Sequence, residues 1–81
     1  MPDLASIVAA NVRGERSRRR WRQKDLADAL GWSQATVSDV EAGKRAVNVA
    51  DLPLLCHALG ITLADLFRGA DSQDMAWMGM Q

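Results

Sequence analysis

Gln23-Lys24-Asp25-Leu26-Ala27-Asp28-Ala29-Leu30-Gly31-Trp32-Ser33-Gln34-Ala35-Thr36-Val37-Ser38-Asp39-Val40-Glu41-Ala42-Gly43 is the stretch whose reading decides the fold. Leu26, Ala27 and Leu30 fall on one face of a helix over 23–30. Gly31 stands where a left-handed helix end needs a residue without Cβ. Ser33 is an N-cap for a second helix over 34–42, whose Val37 and Val40 turn inward. The pair reads as two short helices joined by a tight turn and crossing steeply, with Ala27 small enough to allow contact.

Working outward, the apolar spacing stays helical. Leu4, Ile7, Val8 and Val12 make a stripe, which predicts a first helix over 4–18 with Asp3 as its N-cap. Asn48 with Asp51 gives an imperfect capping box for a fourth helix. Its buried face is Leu52, Leu55, Cys56 and Leu59, and Gly60 ends it. Pro53 within it predicts a distorted start. Thr62 and Asp65 repeat the cap pattern for a fifth helix over 63–67. No segment alternates long enough for a strand. Residues 69–81, with Asp71, Asp74, three methionines and Trp77, show weak periodicity and no clear cap. The expected fold is all-α: a compact five-helix domain over 1–68 and a short tail over 69–81. The tail is either flexible, with at most one extra turn, or an apolar segment docked on a second subunit.

The chain has 81 residues, 48% of them hydrophobic, enough for one domain with a small core. Cys56 is the single cysteine, so an internal disulfide and a zinc cluster are both out of reach. It reads as a small apolar residue, and His57 as surface. No signal pattern or membrane-length apolar run is present, so a soluble cytoplasmic protein is expected. Formal net charge is zero, but the distribution is uneven. Residues 1–45 hold nine of the ten Lys and Arg against six acids. Arg13 to Lys24 alone carries seven basic residues and one acid, Glu15. Such a run puts a positive field on one part of a neutral molecule, although Arg18, Arg19 and Arg20 cannot all point one way. No nucleophile–base pair, phosphate-cradling glycine loop or metal cluster supports an enzyme, and no cofactor is implied.

With Val37 and Val40 inward, Gln34, Ala35, Ser38 and Asp39 remain outside, a small polar edge able to enter a DNA major groove. Gln23…Leu26-Ala27…Gly31…Ser33…Val37-Ser38…Glu41…Gly43, continued by Ala58-Leu59-Gly60-Ile61 and Leu63…Leu66-Phe67, resembles the lambda-repressor and Cro-like (XRE-type) helix-turn-helix family. The likeness covers residues 4–68. It implies a DNA-binding transcription regulator, most often a repressor of a phage or prophage, that works as a homodimer on a two-fold-related operator of double-stranded DNA.

By the same likeness, Gln34, Ala35, Ser38 and Asp39 occupy base-reading positions. Arg22, Gln23, Lys24, Thr36, Lys44 and Arg45 occupy phosphate-contacting ones, and Arg16 and Glu41 a structural pair. The Gln34 amide suits the N6/N7 edge of adenine, Asp39 suits cytosine N4, and Ala35 suits a thymine methyl. Asp39 also repels phosphate, so a role against unwanted DNA or as a partner of a neighbouring Arg stays open beside base reading.

Four residues depart from the family pattern. Arg22 replaces the usual Ser or Thr cap, which implies a weaker helix start. Glu15 replaces a leucine, Arg20 stands where glycine is common, and Trp32 is bulkier than usual. Two other readings remain: an antitoxin of the same fold that also binds a toxin, and a protein-interaction module that has lost DNA binding.

Overall fold

The computed structural model describes residues 3–80. Six α-helices follow one another: α1 Leu4–Arg18, α2 Gln23–Leu30, α3 Gln34–Glu41, α4 Leu52–Leu59, α5 Leu63–Leu66 and α6 Ser72–Trp77. No strand occurs among the described residues. The caps follow local chemistry. Asp3 accepts the Ser6 N–H at 2.8 Å, Ser33 Oγ the Thr36 N–H at 3.1 Å, and Thr62 Oγ1 the Asp65 N–H at 3.1 Å.

Helix ends repeat one device, a left-handed residue followed by an N–H that reaches back five residues. Gly31 has φ of 71°, and the Trp32 N–H bonds the Ala27 carbonyl at 2.9 Å. At the end of α1 the same place is taken by Arg20, with φ of 58°, the one positive-φ residue other than glycine among those described. The Trp21 N–H then bonds the Arg16 carbonyl at 3.2 Å.

Several expectations are corrected. α3 ends at Glu41 with Ala42 as its cap, and α5 ends at Leu66. Asn48 makes no side-chain cap bond. A 3₁₀ turn, Val49–Asp51, precedes α4, which places Pro53 in the first turn of α4, where its missing N–H costs no helical bond. The five expected helices are present, and among the described residues the tail adds the short α6, with Met75 and Met80 packed on the core. Trp77 and Met78 face solvent.

The core joins every earlier helix. Val8 and Val12 come from α1, Leu26, Ala27 and Leu30 from α2, Val37 from α3, Leu55 and Leu59 from α4, and Leu66 from α5, with Phe67 after it. Trp21, Trp32 and Cys56 pack around it partly buried, and His57 is exposed. Burial pushes the Cys56 thiol above its ordinary value, which suits an inert packing residue. Asn11 ties α1 to the end of α5: its Nδ2 donates to the carbonyls of Leu66 at 2.6 Å and Arg68 at 2.9 Å. Those carbonyls would otherwise lack helical partners. The result is a frame in which α3 is anchored along one edge only.

Candidate nucleic-acid interface

α3 is held from below by two valines and one carboxylate. Val37 and Val40 are buried, and so is Glu41 at 4% exposure. A buried carboxylate needs partners. Arg16 Nε donates to Glu41 Oε2 at 2.6 Å and Arg16 Nη2 to Oε1 at 3.0 Å, a two-pronged pair that fixes geometry as well as charge. Gln23 Nε2 adds a third bond to Oε1 at 3.2 Å. Arg16 Nη1 also donates to the Trp21 carbonyl at 2.7 Å. One guanidinium thus joins α1, the loop into α2 and the end of α3. The Glu41 bonds hold Arg16 more firmly protonated than an ordinary arginine.

The outer edge of α3 is open. Gln34, Ala35, Ser38 and Asp39 are all exposed, and Thr36 is partly covered, its hydroxyl 2.9 Å from that of Ser33. The Asp39 carboxylate has no ion pair among the described residues, so the arginine-partner reading fails. Its backbone carbonyl instead accepts the N–H of Lys44 at 2.9 Å and of Arg45 at 3.3 Å. That bond pattern turns the chain sharply after α3. Lys44 and Arg45 are both exposed, with no ion pair among the described residues.

Most of the basic run is neutralised by its own neighbours. Glu15 is buried, with Arg19 at 3.0 Å and Arg18 at 3.4 Å. The carboxylate in place of an apolar residue is therefore covered by two arginines rather than left against the core. Arg22 pairs with Asp25 at 3.1 Å and Lys24 with Asp28 at 2.9 Å. Asp25 also accepts the Arg22 N–H at 2.8 Å, the returning half of a capping box, while Arg22 itself supplies no acceptor to the start of α2. These bonds hold the Asp25 carboxyl below its ordinary range, the arginine contributing most.

Arg13 and Arg20 are the members of the run without an ion pair among the described residues. Arg13 is not among the phosphate-contacting positions that the family likeness assigns. The structure sets it in a groove of about 220 Å³ with Arg16, Gln23, Ser38, Glu41 and Ala42. A second cleft, about 190 Å³, lies along the opposite flank of α3, between Thr36, Val40, Trp32 and Arg45. Among the described residues no cluster could hold a metal ion, and no helix is long and apolar enough to cross a membrane.

Comparison with known proteins agrees with this architecture. No curated protein matches the sequence. The clp gene regulator ClgR from Corynebacterium glutamicum is 31% identical, with a TM-score of 0.78, over 96% of this chain and 82% of that one. The hypothetical transcription factor NHTF from Neisseria is 26% identical, with a TM-score of 0.76, over 94% and 86%. The restriction-modification controller protein C.AhdI from Aeromonas hydrophila is 28% identical, with a TM-score of 0.72, over 78% and 96%. The profile of the helix-turn-helix domain family matches residues 7–68, most of the described fold. This chain therefore belongs to the helix-turn-helix domain family and has the lambda-repressor-like fold of its transcription regulators.

Proposed function

We propose that the chain is a sequence-specific DNA-binding regulator of transcription, a repressor of the phage or prophage type. It acts in the cytoplasm as a binding protein rather than an enzyme. The observation that carries this reading is the edge of α3: four adjacent small or polar side chains, Gln34, Ala35, Ser38 and Asp39, all exposed on a helix whose opposite face, Val37, Val40 and Glu41, is buried. An α-helix of ordinary width fits the major groove of B-DNA. Gln34 suits adenine, Ala35 a thymine methyl and Asp39 cytosine N4.

Thr36, Lys44 and Arg45 contact phosphates beside that edge in this reading. Gln23 has a second amide N–H to offer while the first holds Glu41. Arg22 and Lys24 reach a phosphate only by exchanging Asp25 and Asp28 for it. One such helix reads a few base pairs, so specificity calls for a homodimer on two-fold-related half-sites. Residues 1–68 form the DNA-binding unit. Residues 69–81, with Trp77 at 76% exposure and Met78 at 41%, supply part of the contact between copies. The names of ClgR, a gene regulator, and C.AhdI, a controller protein, support the regulatory reading.

Selection of bound duplexes from a random DNA pool tests it. The expected product is a two-fold-related sequence whose half-sites lie about 34 Å apart or a multiple of that. Recovery of no enriched sequence would contradict the proposal.

A further inference from the structure

We infer that Arg13 grips a phosphate on the DNA strand opposite the one held by Arg45, so that α3 is clamped in the groove from both sides. The inference rests on the DNA-binding reading above and adds a residue and a strand assignment to it.

Three observations carry it. First, two of the clefts beside α3 lie on opposite flanks. Thr36 and Val40, one turn apart, line one; Ser38, Glu41 and Ala42 line the other. The base-reading edge runs between them. Second, each cleft borders one guanidinium without an ion pair among the described residues, Arg45 in the first and Arg13 in the second. The acid beside Arg13, Glu41, is already satisfied by Arg16 and Gln23, so it does not compete for Arg13. Third, the Arg13 groove is shared with Gln23 and is open to solvent, with a volume several times the ~30 Å³ of a water molecule. A helix lying in the major groove has a sugar–phosphate strand along each flank. Arg13 and Arg45 therefore meet different strands, and a guanidinium can bind phosphate with two parallel N–H bonds.

The test uses the full chain, the selected duplex and an unrelated duplex. Affinity is measured against salt for wild type, Arg13→Ala, Arg45→Ala, the double variant and Arg18→Ala. Arg18 is exposed but already paired with Glu15. Each phosphate contact adds about 0.9 to the log–log slope. Arg13→Ala and Arg45→Ala each reduce the slope by about 0.9 on both duplexes, the double variant by about 1.8, and Arg18→Ala leaves it unchanged. Phosphate-ethylation interference on the selected site loses signal on one strand with Arg13→Ala and on the other with Arg45→Ala. Arg13 is exposed and its side chain has no hydrogen bond or ion pair among the described residues, so folding is unaffected, and Arg13→Lys restores most of the slope. A wild-type slope kept intact in Arg13→Ala, or loss of signal on the same strand in both variants, overturns the inference while leaving DNA binding standing. A wild type without salt dependence overturns both.

Discussion

The stretch from Arg13 to Lys24 and the surround of α3 form an instructive contrast. The first carries most of the positive charge, yet Arg16, Arg18, Arg19, Arg22 and Lys24 are each held by a carboxylate close by. The second has few charges, but Lys44, Arg45 and the one arginine of the run that borders it, Arg13, have no such partner among the described residues. Charge density along a chain and charge available to a polyanion are different quantities. The fold decides between them by choosing which cations meet an acid first. Here most of the dense run meets an acid, with Arg16 as the buried fastening, and Arg13, Lys44 and Arg45 are left beside the reading helix.

The largest expected effect comes from breaking the fastening where it is buried. Glu41→Ala leaves Arg16 and Gln23 facing an empty, largely buried site and should cost about 3 kcal/mol of stability, read from urea unfolding. A loss below about 1 kcal/mol would mean that the pair only decorates the joint between α1 and α3. Glu15→Ala is milder, about 1 kcal/mol, because Arg18 is exposed and Arg19 only partly buried, so water can take the place of the lost carboxylate. It also leaves Arg18 and Arg19 without their carboxylate, Arg19 keeping its bond to the carbonyl of residue 15. If the contrast holds, the salt slope of DNA binding stays where it was; steepening by a whole phosphate contact would show that the run itself faces the duplex.

Arg20→Gly should stabilise by about 0.5–1 kcal/mol, because a left-handed residue with a Cβ is replaced by one without. A drop in melting temperature would point to a contact made by the Arg20 side chain.

The smallest effect is acid sensitivity. Asp3, Asp25 and Asp65 each have a carboxyl held below its ordinary range. The leading cause is the backbone N–H of Ser6 for Asp3, the Arg22 side chain for Asp25 and the Thr62 N–H for Asp65. In the unfolded chain these groups take up protons first, near the usual carboxylate value of about 4. Their contribution is thus complete above that value and is lost as pH falls through the lower folded values. The urea midpoint should be level from pH 7 to about 5 and decline below about 4. A decline that begins above pH 6 would implicate other groups.

Much of the fold was readable because its signals are local. Asp3, Ser33 and Thr62 cap the helices that follow them, and the valines of α3 show which edge must face out. The start of α4 was read too early, since Asn48 and Asp51 look like a cap pair, while the chain takes a 3₁₀ turn before Pro53. α6 left no clear trace in periodicity because Met75 and Met80 gain their burial from a core built by distant residues. The Asn11 bonds, which cross 55 and 57 residues, are invisible for the same reason. At the candidate interface, exposure of Gln34, Ala35, Ser38 and Asp39 followed from helical spacing. The sorting of the arginines did not. Whether Arg13 or Arg16 stays unpaired depends on where Glu41 lands, and Glu41 lies in another helix.

The most direct test of the account is the affinity of wild type and Gln34→Ala for the selected duplex and for an unrelated one at a single salt concentration. The account predicts that Gln34→Ala weakens binding to the selected duplex by roughly 5- to 150-fold, the equivalent of 1–3 kcal/mol, and leaves the unrelated duplex unchanged. Equal weakening on both, or no change on either, would contradict the claim that the open edge of α3 reads bases.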